Sequence, residues 1–137
     1  MKTFKKILLD TNFLLVPYQF KVDIFSEIDR IIIAKYEIIV LDKTVEELEN
    51  IVKNQKGKDK EAAKFALKLI ENKKPIMIKT NNDKKTDDII LDYAIKEDYL
   101  VATQDKDLKR KLINHGIEVI VLRKKKFLAI TNEKGFE

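Results

Sequence analysis

Short apolar runs separated by longer amphipathic stretches set the rhythm of this chain. Residues 5–9 end in Ile7-Leu8-Leu9, a length and composition that suit a buried strand. Similar runs at 37–41, 76–79, 99–103 and 118–122 bring the expected strands to five. Between them the period changes to a helical one. Within 23–33, apolar residues at 24, 25, 28, 31 and 32 fit one face of a helix. Thr44-Val45-Glu46-Glu47 has the Thr-x-x-Glu pattern of a helix start, and Leu48, Ile51 and Val52 extend its apolar side. Gly57 breaks that helix, and 58–71 resumes with Ala62, Phe65, Ala66, Leu69 and Ile70 inward. Thr86 opens another, with Ile89, Ile90, Tyr93 and Ala94 inward, and 106–114 makes a last one closed by Gly116. Residues 11–16 suit a short helical turn ended by Pro17. Strands alternating with helices predict an α/β domain: a central, mainly parallel sheet of about five strands with helices on both faces. The domain is expected over residues 1–122, and 123–137 reads as a basic C-terminal arm ordered by a partner.

Four acids lie just past the ends of strand runs: Asp10, Glu47, Asp87 and Asp105. In a parallel sheet the carboxyl ends of the strands share one edge, where ligand sites gather. Each acid also has an ordinary structural reading. Asp10 suits an N-cap for the turn after it, and Glu47 suits the return bond of a capping box to Thr44. Asp87 and Asp88 fall in the first turn of a helix capped by Thr86, where the macrodipole favours carboxylates. The position of Ile90 makes Asp87 the one expected to face the pocket. One of Asp105 and Asp107 is expected to cap the next helix. One shared site explains four such acids more economically than four unrelated caps.

Composition sharpens this picture only in places. The chain has 137 residues, 45% of them apolar and 37% charged, with a formal net charge of +5. It has no cysteine, so disulfides and thiolate metal sites are excluded. The N-terminal apolar run stops at Asp10, too short for a signal peptide or a membrane span. A soluble, cytoplasmic protein is the expectation. The cations cluster as Lys109-Arg110-Lys111 and as Arg123-Lys124-Lys125-Lys126, which suits a phosphodiester backbone held beside an acidic centre. His115, the single histidine, reads as a surface loop residue. Phe4, Phe13, Phe25 and Phe65 read as core, while Tyr18 and Phe20 are the aromatics placed to meet a base.

The segments Leu8-Leu9-Asp10-Thr11-Asn12, Glu46-Glu47-Leu48, Asp87-Asp88-Ile89-Ile90 with Ala94, and Val101-Ala102-Thr103-Gln104-Asp105-Lys106-Asp107-Leu108 resemble the four acidic motifs of PIN domains. They fall in the family's order over about residues 5 to 122. The resemblance implies a three-layer α/β/α fold, dependence on Mg²⁺ or Mn²⁺, and endonucleolytic hydrolysis of single-stranded RNA. It implies metal-site and catalytic roles for Asp10, Glu47, Asp87 and Asp105, with Asp107 a further ligand. Asn12 and Thr103 would support them, and Lys109, Arg110, Arg123, Lys124, Lys125 and Lys126 would contact RNA. Within the family the chain looks most like the ribosomal-RNA-processing branch, with toxins of the VapC type second; members often form homodimers. It lacks the zinc-ribbon cysteines of some archaeal relatives.

Two other classes compete. A phosphotransfer domain also places an Asp after its first strand, but Asn12 stands where the phosphatase pattern needs a second Asp. A non-catalytic RNA-binding or assembly module would use the fold and leave the acids idle.

Overall fold

The computed structural model describes residues 4–80 and 83–131. Its first strand β1 (Phe4–Leu9) leads into two short helices, α1 (Thr11–Leu14) and α2 (Val16–Phe20), and then α3 (Ile24–Ile31). Strand β2 (Lys35–Leu41) is followed by α4 (Asp42–Asn54) and α5 (Lys58–Lys73), then by β3 (Ile76–Ile78) and α6 (Thr86–Glu97). Strand β4 (Leu100–Ala102), helix α7 (Lys106–Asn114) and strands β5 (Val119–Arg123) and β6 (Phe127–Thr131) complete the order. The strands form one sheet in the order β3-β2-β1-β4-β5-β6. All neighbours are parallel except β5 and β6.

The strand runs are apolar on both faces because both faces are covered. In β1, Ile7 and Leu9 enter one core with Phe13, Val16, Ile28 and Leu48, beneath α1 to α5. Leu8 points the other way, into a second core with Ile90, Ala94, Leu108 and Leu112 of α6 and α7. The same alternation separates Val40 from Ile39 and Leu41, and Ala102 from Val101. This is a three-layer α/β/α sandwich, as the spacing predicts. Phe13 is fully buried, but Phe65 is 42% exposed, contrary to its expected place in the core. Its ring lies 6.1 Å from that of Tyr18, which is also covered by the Lys21 ammonium. That contact occupies a face of the tyrosine that was expected to meet a base.

A sixth strand is the main departure from the expected five. Residues 124–126 turn the chain back, Lys126 N–H donating to the Arg123 carbonyl at 3.0 Å, and β6 pairs antiparallel with β5. The first part of the expected arm is therefore part of the sheet; residues 132–137 lie outside the described residues. Helix α3 anchors the new strand at Leu128. Arg30 donates to its carbonyl at 2.8 Å, and its N–H donates to Glu27 at 2.9 Å. Lys124 and Lys125 both adopt positive φ, 52° and 58°, where non-glycine residues are disfavoured by steric crowding. A turn of two lysines carries none of the Asn-Gly signal that normally marks a hairpin.

A candidate acidic site at the carboxyl edge of the sheet

Asp10 follows the last residue of β1, and its N–H continues the ladder by donating to the Ala102 carbonyl at 3.0 Å. Its side chain is turned into the protein, with the residue only 3% exposed. One carboxylate oxygen accepts the Thr11 N–H at 2.8 Å, so Asp10 does cap α1. The other accepts the Thr103 hydroxyl at 2.7 Å. Burial pushes the Asp10 carboxyl up to about 6, against the lowering effect of these two bonds, and nearby Asp87 and Glu47 raise it further. Thr103 is fully buried and also accepts the Asp105 N–H at 3.1 Å, tying the first acid to the last.

Glu47 does not make the expected capping box. Helix α4 begins at Asp42, two residues before Thr44, so Thr44 lies inside the first turn. The Glu47 carboxylate is taken instead by two hydroxyls from other elements. Thr11 of α1 donates to one oxygen, and Thr86 of α6 donates to the other at 2.5 Å. Thr86 is likewise not a cap: Lys85 holds that position, and α6 has no side-chain cap. Its bond to Glu47 instead fixes the start of the helix that carries Asp87. Sequence reasoning missed this threonine pair. The only signal was a hydroxyl residue next to each of two acids.

Asp87 has a raised proton affinity. Partial loss of solvent around its carboxylate is the largest cause, followed by the charges of Asp105, Glu47 and Asp88; Lys111 acts in the opposite sense. Asp105 caps α7, one oxygen accepting the N–H groups of Asp107 at 2.9 Å and Leu108 at 3.1 Å. Asp107 is not drawn in. Its exposed carboxylate pairs with Arg110 at 3.0 Å, which also engages one of the cations expected to contact RNA. Asn12 accepts the Gln104 N–H at 2.9 Å, and the Gln104 side chain accepts the Leu122 N–H at 3.3 Å. These bonds fix the loop between β4 and α7.

Asp42 is a further acid at this edge that the sequence did not single out. It accepts both the N–H and the hydroxyl of Thr80, at 3.1 and 2.8 Å, and pins the chain after β3 against α4. The four expected acids thus come from four elements and bear on one another electrostatically. Among the described residues, however, no three carboxylates stand in an arrangement ready to hold one metal ion.

The sequence pattern of the PIN like domain matches residues 7–125. The chain belongs to this family. A PIN relative from Methanocaldococcus jannaschii, ribonuclease VapC4, is 41% identical over 91% of this chain and 95% of its own length. Ribonuclease VapC9 from Archaeoglobus fulgidus is 32% identical, covering 86% of this chain and 83% of that protein. Among solved structures, the PIN domain endonuclease Utp24 superposes with a TM-score of 0.76 at 23% identity, over 91% of this chain and 90% of that one. A domain of a functionally unknown protein from M. jannaschii superposes with a TM-score of 0.59 at 17% identity, over 87% and 91%. At these identities the superpositions establish the PIN fold alone.

Proposed function

We propose that this PIN domain is a divalent-metal-dependent endoribonuclease that hydrolyses single-stranded RNA. The observation that carries this reading is the convergence of Asp10, Glu47, Asp87 and Asp105 at one sheet edge, where Asp10 and Asp87 already feel the charge of their neighbours. The relatives named ribonuclease at 41% and 32% identity support it. The donor set fits Mg²⁺ or Mn²⁺ in its chemistry: it is all oxygen and anionic, and these ions bind through a few carboxylates while keeping several waters. When bound, such an ion supplies Lewis-acid polarisation of the phosphate and acidifies water.

The chain's own residues provide the frame. Asp10, Glu47, Asp87 and Asp105 are the ligands and catalytic acids in this reading. Thr103 orients Asp10, Thr11 and Thr86 orient Glu47, and Asn12 holds the loop that presents Asp105. Asp107 is left out of the set because it serves Arg110 at the surface. Basic residues of α7 and of the β5–β6 tip hold the RNA backbone. Water attacks phosphorus and the 3′ oxygen leaves, so the products carry 5′-phosphate and 3′-hydroxyl ends. His115 takes no part; it caps the far end of α7, bonded to the Lys111 carbonyl at 2.8 Å.

The level of identity to the two VapC proteins favours a VapC-type role over the ribosomal-RNA-processing role that the motifs suggest. Incubating the protein with total RNA and Mn²⁺, then mapping the new ends, tests both points. Ends bearing 5′-phosphate are expected; 2′,3′-cyclic phosphates would contradict the mechanism. Cleavage confined to ribosomal RNA precursors would reinstate the processing role.

A further inference from the structure

A groove of about 450 Å³ opens beside the acids, between α4 and the start of α6. Lys43 and Asn50 wall one side and Lys85 the other, while Glu47, Thr86 and Asp87 belong both to the groove and to the acidic site. We propose that Lys43 and Lys85 form a phosphate subsite for the nucleotide next to the scissile bond. The inference takes its substrate class from the ribonuclease reading.

Three features favour it. Lys43 is a half-buried residue whose ammonium reaches the surface and donates to the Lys84 carbonyl at 3.3 Å. That bond uses one of its three donors and leaves two for a ligand. Among the described residues neither Lys43 nor Lys85 forms a salt bridge, whereas neighbouring Lys84 pairs with Asp92 at 2.8 Å. Finally, the Asp42–Thr80 bonds tie the chain after β3 to the first turn of α4, next to Lys43.

The charge pattern selects the ligand. A lone small anion at the lysines would gain from them but lie beside Glu47 and Asp87. A polymer with regularly spaced phosphates can place one at the lysines and the next at the carboxylates with their cation. The sheet order puts this groove at the β2–β3 end of the edge and the basic 123–126 turn at the β5–β6 end. Asp10 and Asp105 lie between, across roughly 19 Å at the usual strand spacing. A strand held on both sides of the reacting phosphate is cut internally, which is why the subsite suits an endonuclease.

The test is equilibrium binding of a short fluorescein-labelled oligouridylate by anisotropy, in chelator, over a range of salt concentrations. Lys43→Ala with Lys85→Ala is expected to weaken binding several-fold and to lower the slope of log K against log salt by about 0.7 to 1.4. The Lys43→Arg, Lys85→Arg pair should keep most of the slope. Lys5→Ala with Lys6→Ala, at the opposite edge of the sheet, controls for net charge and should leave the slope unchanged. An alanine pair that binds as the wild type does, or a control that loses as much, overturns the subsite. Binding that depends on these lysines in a wild-type protein that never cleaves RNA would uphold the subsite and refute the nuclease.

Discussion

The two edges of the sheet use similar residues to opposite effect. At the amino edge, Lys5, Lys6, Glu97, Asp98, Tyr99 and Glu118 line a cavity of about 570 Å³, larger than the groove beside the acids. Two lysines and three carboxylates share it. At the carboxyl edge Asp10, Glu47 and Asp87 gather with no salt bridge to any of them among the described residues, and burial and mutual repulsion raise the proton affinity of Asp10 and Asp87. Cavity size would choose the first edge as the functional one, and electrostatics chooses the second. An arrangement that works against its own folding energy points to a ligand that relieves it.

The largest expected effect comes from removing one charge at the carboxyl edge. Asp10→Asn should lower Mn²⁺-dependent RNA cleavage by orders of magnitude, measured at saturating metal, while leaving the fold intact. Full activity in that variant would remove the contrast between the edges. Next in size is the threonine pair. Thr86→Val deprives Glu47 of one hydroxyl and α6 of its tether, and should weaken Mn²⁺ binding about 10–100-fold by titration. Thr86→Ser, which keeps the hydroxyl, should restore most of it.

The stability of the metal-free protein sharpens the comparison. The folded pKa of Asp10 is raised from 3.8 to about 6, so between these values the folded chain holds a proton that the unfolded chain has released. Stability from this group is therefore greatest below about pH 4 and falls as pH rises through about 6, a loss of about 3 kcal/mol. In chelator at pH 7 Asp10→Asn should melt above the wild type, and the difference should close on acidification. A constant gap across that range would show that charge burial is not its cause. A smaller effect is expected at the hairpin tip. Replacing Lys124 and Lys125 by Asn and Gly suits the left-handed turn and should stabilise by about 1 kcal/mol, while weakening RNA binding. The smallest is Glu118→Gln at the amino edge, which should change neither cleavage nor Mn²⁺ binding.

Most of the architecture was legible because strands buried on both faces leave continuous apolar runs, and the helices kept their 3.6-residue period. Strand β6 was not, because its turn is built from two lysines in a conformation that sequence normally marks with glycine or asparagine. The positions of Asp10, Glu47, Asp87 and Asp105 followed from where strands end. Their partners did not: Glu47 fits a local capping box on paper, yet bonds to Thr11 and Thr86, 36 and 39 residues away. Asp107 shows the same dependence on context: the resemblance offers it as a further ligand, and in the folded chain its exposed carboxylate pairs with Arg110 one turn along α7. Local patterns fix where an acid begins, and tertiary contacts decide where it points.

The most direct measurement is the melting temperature of the wild type and of Asp10→Asn as Mn²⁺ is titrated. A cation gripped jointly by the edge carboxylates binds the folded state alone, so the wild-type Tm should climb with Mn²⁺ and the variant's should climb far less. No shift at millimolar Mn²⁺, or the same shift in both proteins, would contradict the account.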